Sequence, residues 1–340
     1  NSADMRAFNL ETPLANRENP IDKCGPNLIA STNTVEGIKA LNPSLITLAN
    51  NHILDHGVQG LKSTRRILEE NHIPFVGIGD NIYEANKPYI LDQDGIKIGV
   101  YACAEHEFSI ATENSAGANP FDPLESLDHI VELNDVCDYV IVLYHGGKEH
   151  YRYPSPYLQK VCRKMAQKGA DIIVCQHSHC IGCYENYEGS TIIYGQGNFI
   201  FNKHNNEFWN NSLLIDVNLN NELNIEYIPI VKSEYGVCLA KDEEAKNILT
   251  SFHKRSDEIL QDGFIEKQYE KFAQKNIELY LRKFSGFGKW LSRIDRYLLK
   301  GALIRCKYNT KQFLAILNFI ECEAHRELVL EGLKNKVTWQ

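Results

Sequence analysis

Two periods of hydrophobic and polar positions alternate along the first two thirds of the chain. SLITLA (44–49) is a short, bulky run and predicts a buried strand. Residues 57–70 follow with apolar positions at Val58, Leu61, Ile67 and Leu68, opened by Gly57 and closed near Asn71 and Pro74, which predicts an amphipathic helix. PFVGIG (74–79) reads as strand, and YILDQDGIKIGVYAC (89–103) as two strands joined by a turn at Asp94-Gly95. Residues 124–136 and 156–168 read as helices; DYVIVLYH (138–145), ADIIVC (170–175) and STIIYG (190–195) read as strands. SLLIDVNLNNELNIEYIPI (212–230) alternates about Asn220-Asn221, the pattern of a hairpin. Strands alternating with helices predict an α/β layered fold.

The pattern changes near residue 240. From 241 to 340 strand signals fade, and the spacing predicts a helical appendix of three or four helices. Within it, residues 282–311 carry nine basic side chains against one acid, Asp295. The whole chain is at −8, so this stretch at +8 leaves the remainder at −16. Phe284, Phe287, Trp290, Leu291, Leu298 and Leu299 interleave with the charges. A basic amphipathic stretch of this kind suits an anionic membrane surface, a polyanion or an assembly partner, or is a solvated face over a helical core.

The acidic balance argues against nucleic acid as a partner. Ten cysteines show no disulfide framework, and Cys103 and Cys175 sit inside apolar runs, so a reducing, cytoplasmic setting is expected. Cys180-Ile181-Gly182-Cys183 lacks a second pair at zinc-ribbon spacing and reads as a structural or incidental pair. No apolar run is long enough to cross a bilayer. The expectation is therefore a cytoplasmic protein, peripheral to a membrane at most. An N-terminal segment upstream of Asn1 would change this to an anchored, extracytoplasmic protein.

The chemistry gathers behind the predicted strands. Asn51, His52 and Asp55 follow SLITLA in LANNHILDHG; His145, Glu149 and His150 follow YVIVLY; His177 and His179 follow ADIIVC. In open α/β sheets the functional crevice lies beyond the carboxyl ends of the strands. A single histidine there is more often a hydrogen-bonded surface group. His-x-His at three-strand convergence is a metal-ligand pattern, and mixed imidazole and carboxylate donors suit zinc, iron or manganese better than calcium. His56, His150, Asn198 and Lys203 lie beside these groups and are candidates to contact substrate.

Four segments carry a resemblance. LANNHILDHGVQGL, NLETPL (9–14), HGGKEHYRYPSPYLQ (145–159) and GADIIVCQHSHCIGCYENYEGSTIIYGQGNFIF (169–201) resemble motifs of the CapA family of poly-γ-glutamate and capsule-biosynthesis proteins, grouped with the calcineurin-like metallophosphoesterases. The resemblance covers residues 9–201. It implies a four-layer α/β/β/α sandwich over 1–240, the 241–340 appendix lying outside it. It also implies two divalent ions between strand ends. Glu11 takes the place of the bridging carboxylate, Asn51, His145 and His177 complete one metal position, and His179 belongs to the other. His52 stands as proton donor or phosphate-orienting group, Asp55 and Glu149 as groups that orient or tune the ligands, and Gly197-Asn198-Phe199 as the floor beside His177.

Departures are instructive. The family opens with a strand ending in Gly-Asp, and nothing before Asn9 supplies that Asp. Either it lies upstream of this numbering or one metal position is weakened. Gly146 replaces the tryptophan after the motif histidine, and the Gly-His-His-Pro-His pattern reads Cys175-Gln176-His177-Ser178-His179. The resemblance implies a metal-dependent hydrolase, phosphoesterase-like, acting on a phosphorylated precursor or anionic polymer in capsule or exopolymer synthesis. The alternatives are a non-catalytic metal- and polyanion-binding component, or a structural member.

Overall fold

The computed structural model describes residues 3–201, 206–219, 223–233 and 236–337. Two sheets face each other in the first unit, Asn1–Ile265. One is a parallel sheet of β1 (Ala7–Asn9), β2 (Leu45–Thr47) and β3 (Phe75–Val76), in that order. The other has six strands: β5 (Tyr89–Gln93), β6 (Ile96–Ala104), β8 (Tyr139–His145), β9 (Ile172–Cys175), β10 (Tyr184–Tyr187) and β11 (Ser190–Ile193), ordered β10-β11-β9-β8-β6-β5. Its centre, β11-β9-β8-β6, is parallel, and an antiparallel strand closes each edge.

Leu45, Ala49 and Val76 of the small sheet pack on Ile98, Val100, Ala102 and Ala104 of β6. Helices cover the outer faces. α1 (Val35–Ala40) and α2 (Gly57–Glu70) bury Val35, Ile38, Leu61, Ile67 and Leu68 against Ile46 and Leu48. α4 (Ser126–Asn134) and α5 (Pro156–Gln167) bury Ile130, Leu133, Val161 and Met165 against Val140, Val142 and Ile173. The order is helix, sheet, sheet, helix: the four-layer α/β/β/α sandwich expected from the sequence. Short connections complete it: β4 (Ile78–Gly79) pairs with β7 (Gly117–Ala118), and α3 (Ile82–Ala85) lies between them in sequence.

Local chemistry explains several elements. The Ser155 hydroxyl accepts the Leu158 N–H at 3.0 Å and Pro156 fills the first helical turn of α5, satisfying a start whose first N–H groups have no intrahelical acceptor. Asp94 and Gly95 both have positive φ, +54° and +85°, which matches a two-residue turn to the strand twist of the β5–β6 hairpin. In α2 the inward side is Leu61, Thr64, Ile67 and Leu68; Val58, counted as apolar in the pattern, is exposed.

β12 (Asn211–Asn218), β13 (Asn224–Ser233) and β14 (Gly236–Leu239) form an antiparallel meander, preceded by α6 (Glu207–Asn210). Ile215, Val217, Ile225 and Tyr227 pack on Ile172, Val174 and Ile193, so the meander covers the same face of the six-stranded sheet as β1–β3. The hairpin expected over 212–230 is present, while its turn residues Asn220-Asn221 lie outside the described residues. The compact unit runs to Ile265 rather than ending where composition changes near 240. α7 (Asp242–Glu258) belongs to it: Ile248 and Phe252 join Ile181 and Leu213 in a small core, and Arg255 donates to the carbonyl of Gly182 at 2.7 Å.

The second unit, Glu266–Gln340, holds most of α8 (Phe264–Phe284), then α9 (Lys289–Tyr297), α10 (Ala302–Lys307), α11 (Thr310–Glu321) and α12 (Glu323–Lys334). From Asp242 onward there are thus six helices among the described residues, where three or four were expected. Short helices broken at Gly286, Gly288 and Gly301 read as longer ones when only the apolar period is followed.

Gly77 is a point of close approach between the sheets. A methyl group there would lie 2.7 Å from Ala49 Cβ and 3.1 Å from Ala102 Cβ, at φ +92°. Gly77→Ala is expected to lower unfolding stability by roughly 2–3 kcal/mol, from backbone strain plus overpacking, in a urea titration. An unchanged midpoint would show that the layers separate easily here.

Candidate metal centre

Every donor expected from the sequence hangs from the carboxyl end of a strand. Glu11 follows β1, Asn51 follows β2, His145 ends β8, and His177 and His179 follow β9. The small sheet brings Glu11 and Asn51; the large sheet brings the three histidines. Asn50 ties the first two loops together: its amide donates to Leu10 O at 2.9 Å and its carbonyl oxygen accepts His52 N–H at 3.0 Å.

The donor atoms converge. His145 Nε2 lies 3.0 Å from Asn51 Oδ1, 2.9 Å from His177 Nδ1 and 3.5 Å from Glu11 Oε1. His179 Nε2 is 3.4 Å from the same Glu11 oxygen. Ligand atoms of Glu11, His177 and His179 all lie within 4.8 Å of one another. Partners behind the donors fix their orientation. The Asn51 amide donates to Glu107 Oε2 at 2.8 Å, which turns Oδ1 inward. His179 Nδ1 meets Asn198 Oδ1 at 2.8 Å, and the Asn198 amide donates to His179 O at 3.0 Å, leaving Nε2 toward Glu11. The Trp209 ring stacks on His179 at 4.9 Å.

Burial holds the imidazoles neutral. His145 is pushed well below the usual imidazole value by desolvation, with His177, His179 and His52 adding to it. Desolvation also lowers His177, and pushes His179 down to about 4. Desolvation raises the Glu11 carboxyl to about 8, helped by the fields of Glu149, Glu107 and Asp55. The buried Glu11 Oε1 has no hydrogen-bond partner among the described residues. Lone pairs of a carboxylate, an amide and neutral imidazoles therefore point at one place. A proton satisfies one such pair; a divalent cation satisfies them together. The residues fit a metal ion.

His52 stands beside this cluster. Its Nδ1 meets Asp55 Oδ2 at 2.6 Å. Asp55 is fully buried, takes the Leu28 N–H at 2.6 Å and forms an ion pair with Lys23. Asp55 thus holds His52 and touches no donor. Glu149 is exposed; the desolvation that would raise its carboxyl is outweighed by His177, Lys148 and His179, which hold it below the usual range.

The residues expected to meet substrate are placed differently. His56 is buried, with Nδ1 accepting the Asn19 N–H at 2.8 Å. Asn198 is used in holding His179. His150 is exposed, at φ +58°, and its Nε2 receives the Trp209 indole N–H at 3.1 Å. Lys203 lies outside the described residues.

Three contributors were not singled out from sequence: Lys23, Glu107 and Trp209. Glu107 was findable, because it follows β6 as His177 and His179 follow β9. Both cysteines of the 180–183 pair are buried and form no disulfide.

The family model described as "Bacterial capsule synthesis protein PGA_cap" matches residues 1–203. The chain belongs to the bacterial capsule synthesis protein PGA_cap family. The PGA_cap match covers all the donors above. Among curated relatives, the PGA biosynthesis protein CapA of Bacillus subtilis (strain 168) is 30% identical over 207 residues, 59% of this chain and 54% of that one. The capsule biosynthesis protein CapA of Bacillus anthracis is 30% identical over 212 residues, 59% of this chain and 51% of that one. This PGA_cap chain spans about half the length of these relatives. A solved 5'-nucleotidase precursor from Thermus thermophilus is 14% identical with a TM-score of 0.39, covering 66% of this chain and 46% of that chain. No helix among the described residues is long and apolar enough to cross a membrane.

Proposed function

We propose that this PGA_cap protein is a metal-dependent hydrolase of the phosphoesterase kind, acting on a phosphorylated precursor or anionic polymer in capsule or poly-γ-glutamate synthesis. The observation that carries it is the orphaned, buried Glu11 Oε1 facing neutral His145 and His179. Glu11, Asn51, His145 and His177 would hold one ion, and Glu11 with His179 a second, weaker one. Manganese, iron or zinc suits this nitrogen and oxygen set. When bound, such ions neutralise phosphoryl oxygens and make hydroxide available near neutral pH.

The chain's own residues supply the rest. Asp55 accepts from His52 Nδ1 and leaves Nε2 as the free edge of the ring. Asp55, itself held by Lys23 and the Leu28 N–H, fixes the orientation of the ring. His52 then gives the Nε2 proton to the departing ester oxygen. The substrate class rests on the names of the Bacillus relatives, which also favour a second reading: the same centre grips an anionic chain without cutting it.

Protein loaded with Mn2+ is expected to keep at least one ion per chain through gel filtration and to hydrolyse bis(p-nitrophenyl) phosphate. Retained metal with no turnover of any phosphoester, but salt-sensitive binding of polyglutamate, would move the assignment to the second reading. Absence of metal retention would remove both.

A further inference from the structure

Helix α9 is turned inside out. The residue it buries is Asp295, 0% exposed, whose carboxylate accepts from Arg282 Nε at 2.8 Å and from the Leu303 N–H at 2.9 Å. Ser292, one turn earlier on that side, donates to the Phe287 carbonyl at 3.2 Å. The apolar residues face out: Trp290 is 75% exposed, Tyr297 69% and Leu298 75%, with Leu291 and Ile294 exposed between them. Their spacing puts all five on one stripe of the helix. A polar side anchors the helix and a continuous apolar side is left open, which marks an interaction surface.

The charges beside the stripe identify what covers it. Lys289, Arg293, Arg296 and Lys300 border it, all exposed. The acid in the segment points inward and is already paired. Arg293 lies 5.8 Å over the Trp290 ring and Arg296 5.4 Å over the Tyr297 ring, so their stems run along apolar surface while the guanidinium heads stay at its rim. A second copy of the chain would set this positive rim against itself. An apolar slab with a negative surface matches both features at once, and Trp and Tyr favour that boundary.

We propose that α9 lies in the headgroup region of an anionic lipid bilayer. Trp290, Leu291, Ile294, Tyr297 and Leu298 enter the acyl boundary; the four basic residues meet the headgroups. The surface is independent of the metal centre and stands whether or not the chain is a hydrolase.

The test is co-sedimentation of the full chain with vesicles of phosphatidylglycerol and phosphatidylcholine, against phosphatidylcholine alone. Binding is expected only to the anionic vesicles. The Trp290→Ser, Leu298→Ser double variant is expected to bind at least about tenfold more weakly with an unchanged melting temperature, because both side chains are exposed. Arg293→Glu with Arg296→Glu is expected to abolish binding. Equal binding to neutral vesicles, no binding at all, or full affinity in the double serine variant would overturn the proposal. So would a dimer that the double serine variant disperses, which would make a second copy the occupant.

Discussion

Glu11→Gln is expected to make the metal-free protein more stable at pH 8 and to weaken its stabilisation by Mn2+. The carboxyl has an ordinary value of 4.5, which the unfolded chain keeps, and about 8 in the fold, where desolvation is the first cause. The unfolded state therefore loses its proton first. Stability is lost as pH rises from about 4.5 to 8, by an amount on the order of a few kcal/mol. Glutamine keeps the shape and carries no charge to bury, so the variant's melting temperature should lose that decline. It also replaces the carboxylate facing His145 and His179 with a neutral amide, a weaker ligand for a divalent cation. Saturating metal at about a hundredfold over its dissociation constant stabilises a folded protein by about 2.7 kcal/mol. Scanning calorimetry across pH, with and without Mn2+, reads both effects. A variant that still gains the wild-type increment from Mn2+ would exclude Glu11 as a ligand.

The second large effect concerns His52. His52→Ala should leave bound metal unchanged, since the donors are neighbours and not this ring, while phosphoester turnover falls by roughly 10²–10⁴. Asp55→Asn should lower turnover by less, because it removes the charge behind the ring and leaves the ring in place. Metal content by elemental analysis and steady-state rates on one preparation decide it. Equal metal with an unchanged rate would deny His52 the proton-donor role.

Much of the architecture was legible because buried strands and amphipathic helices carry opposite periods. The 57–70 helix and the strands that end at His145 and Cys175 stand where the pattern put them. β10 was missed because YENY lacks the apolar alternation of a strand. Its Glu185 is buried, held by Arg163 Nη2 at 2.6 Å and by the Tyr194 hydroxyl at 2.6 Å, a long-range pairing that no local pattern displays. α7 was placed with the appendix for the same kind of reason: charge dominates its sequence, and Ile248, Phe252 and Ser256 are the residues it buries. The cluster of Glu11, Asn51, His145, His177 and His179 was legible as polar residues stranded behind apolar runs. Lys23 was not, since it lies in a segment without regular structure and acquires meaning only through Asp55.

The divided origin of the donors has a consequence for the whole sandwich. Glu11 and Asn51 ride on one β layer, the three histidines on the other. An ion held by donors from both layers would be a rivet through the middle of the fold. Its affinity would then gauge how the layers are aligned, and a loosened seam far from any ligand would announce itself first as a leaking metal.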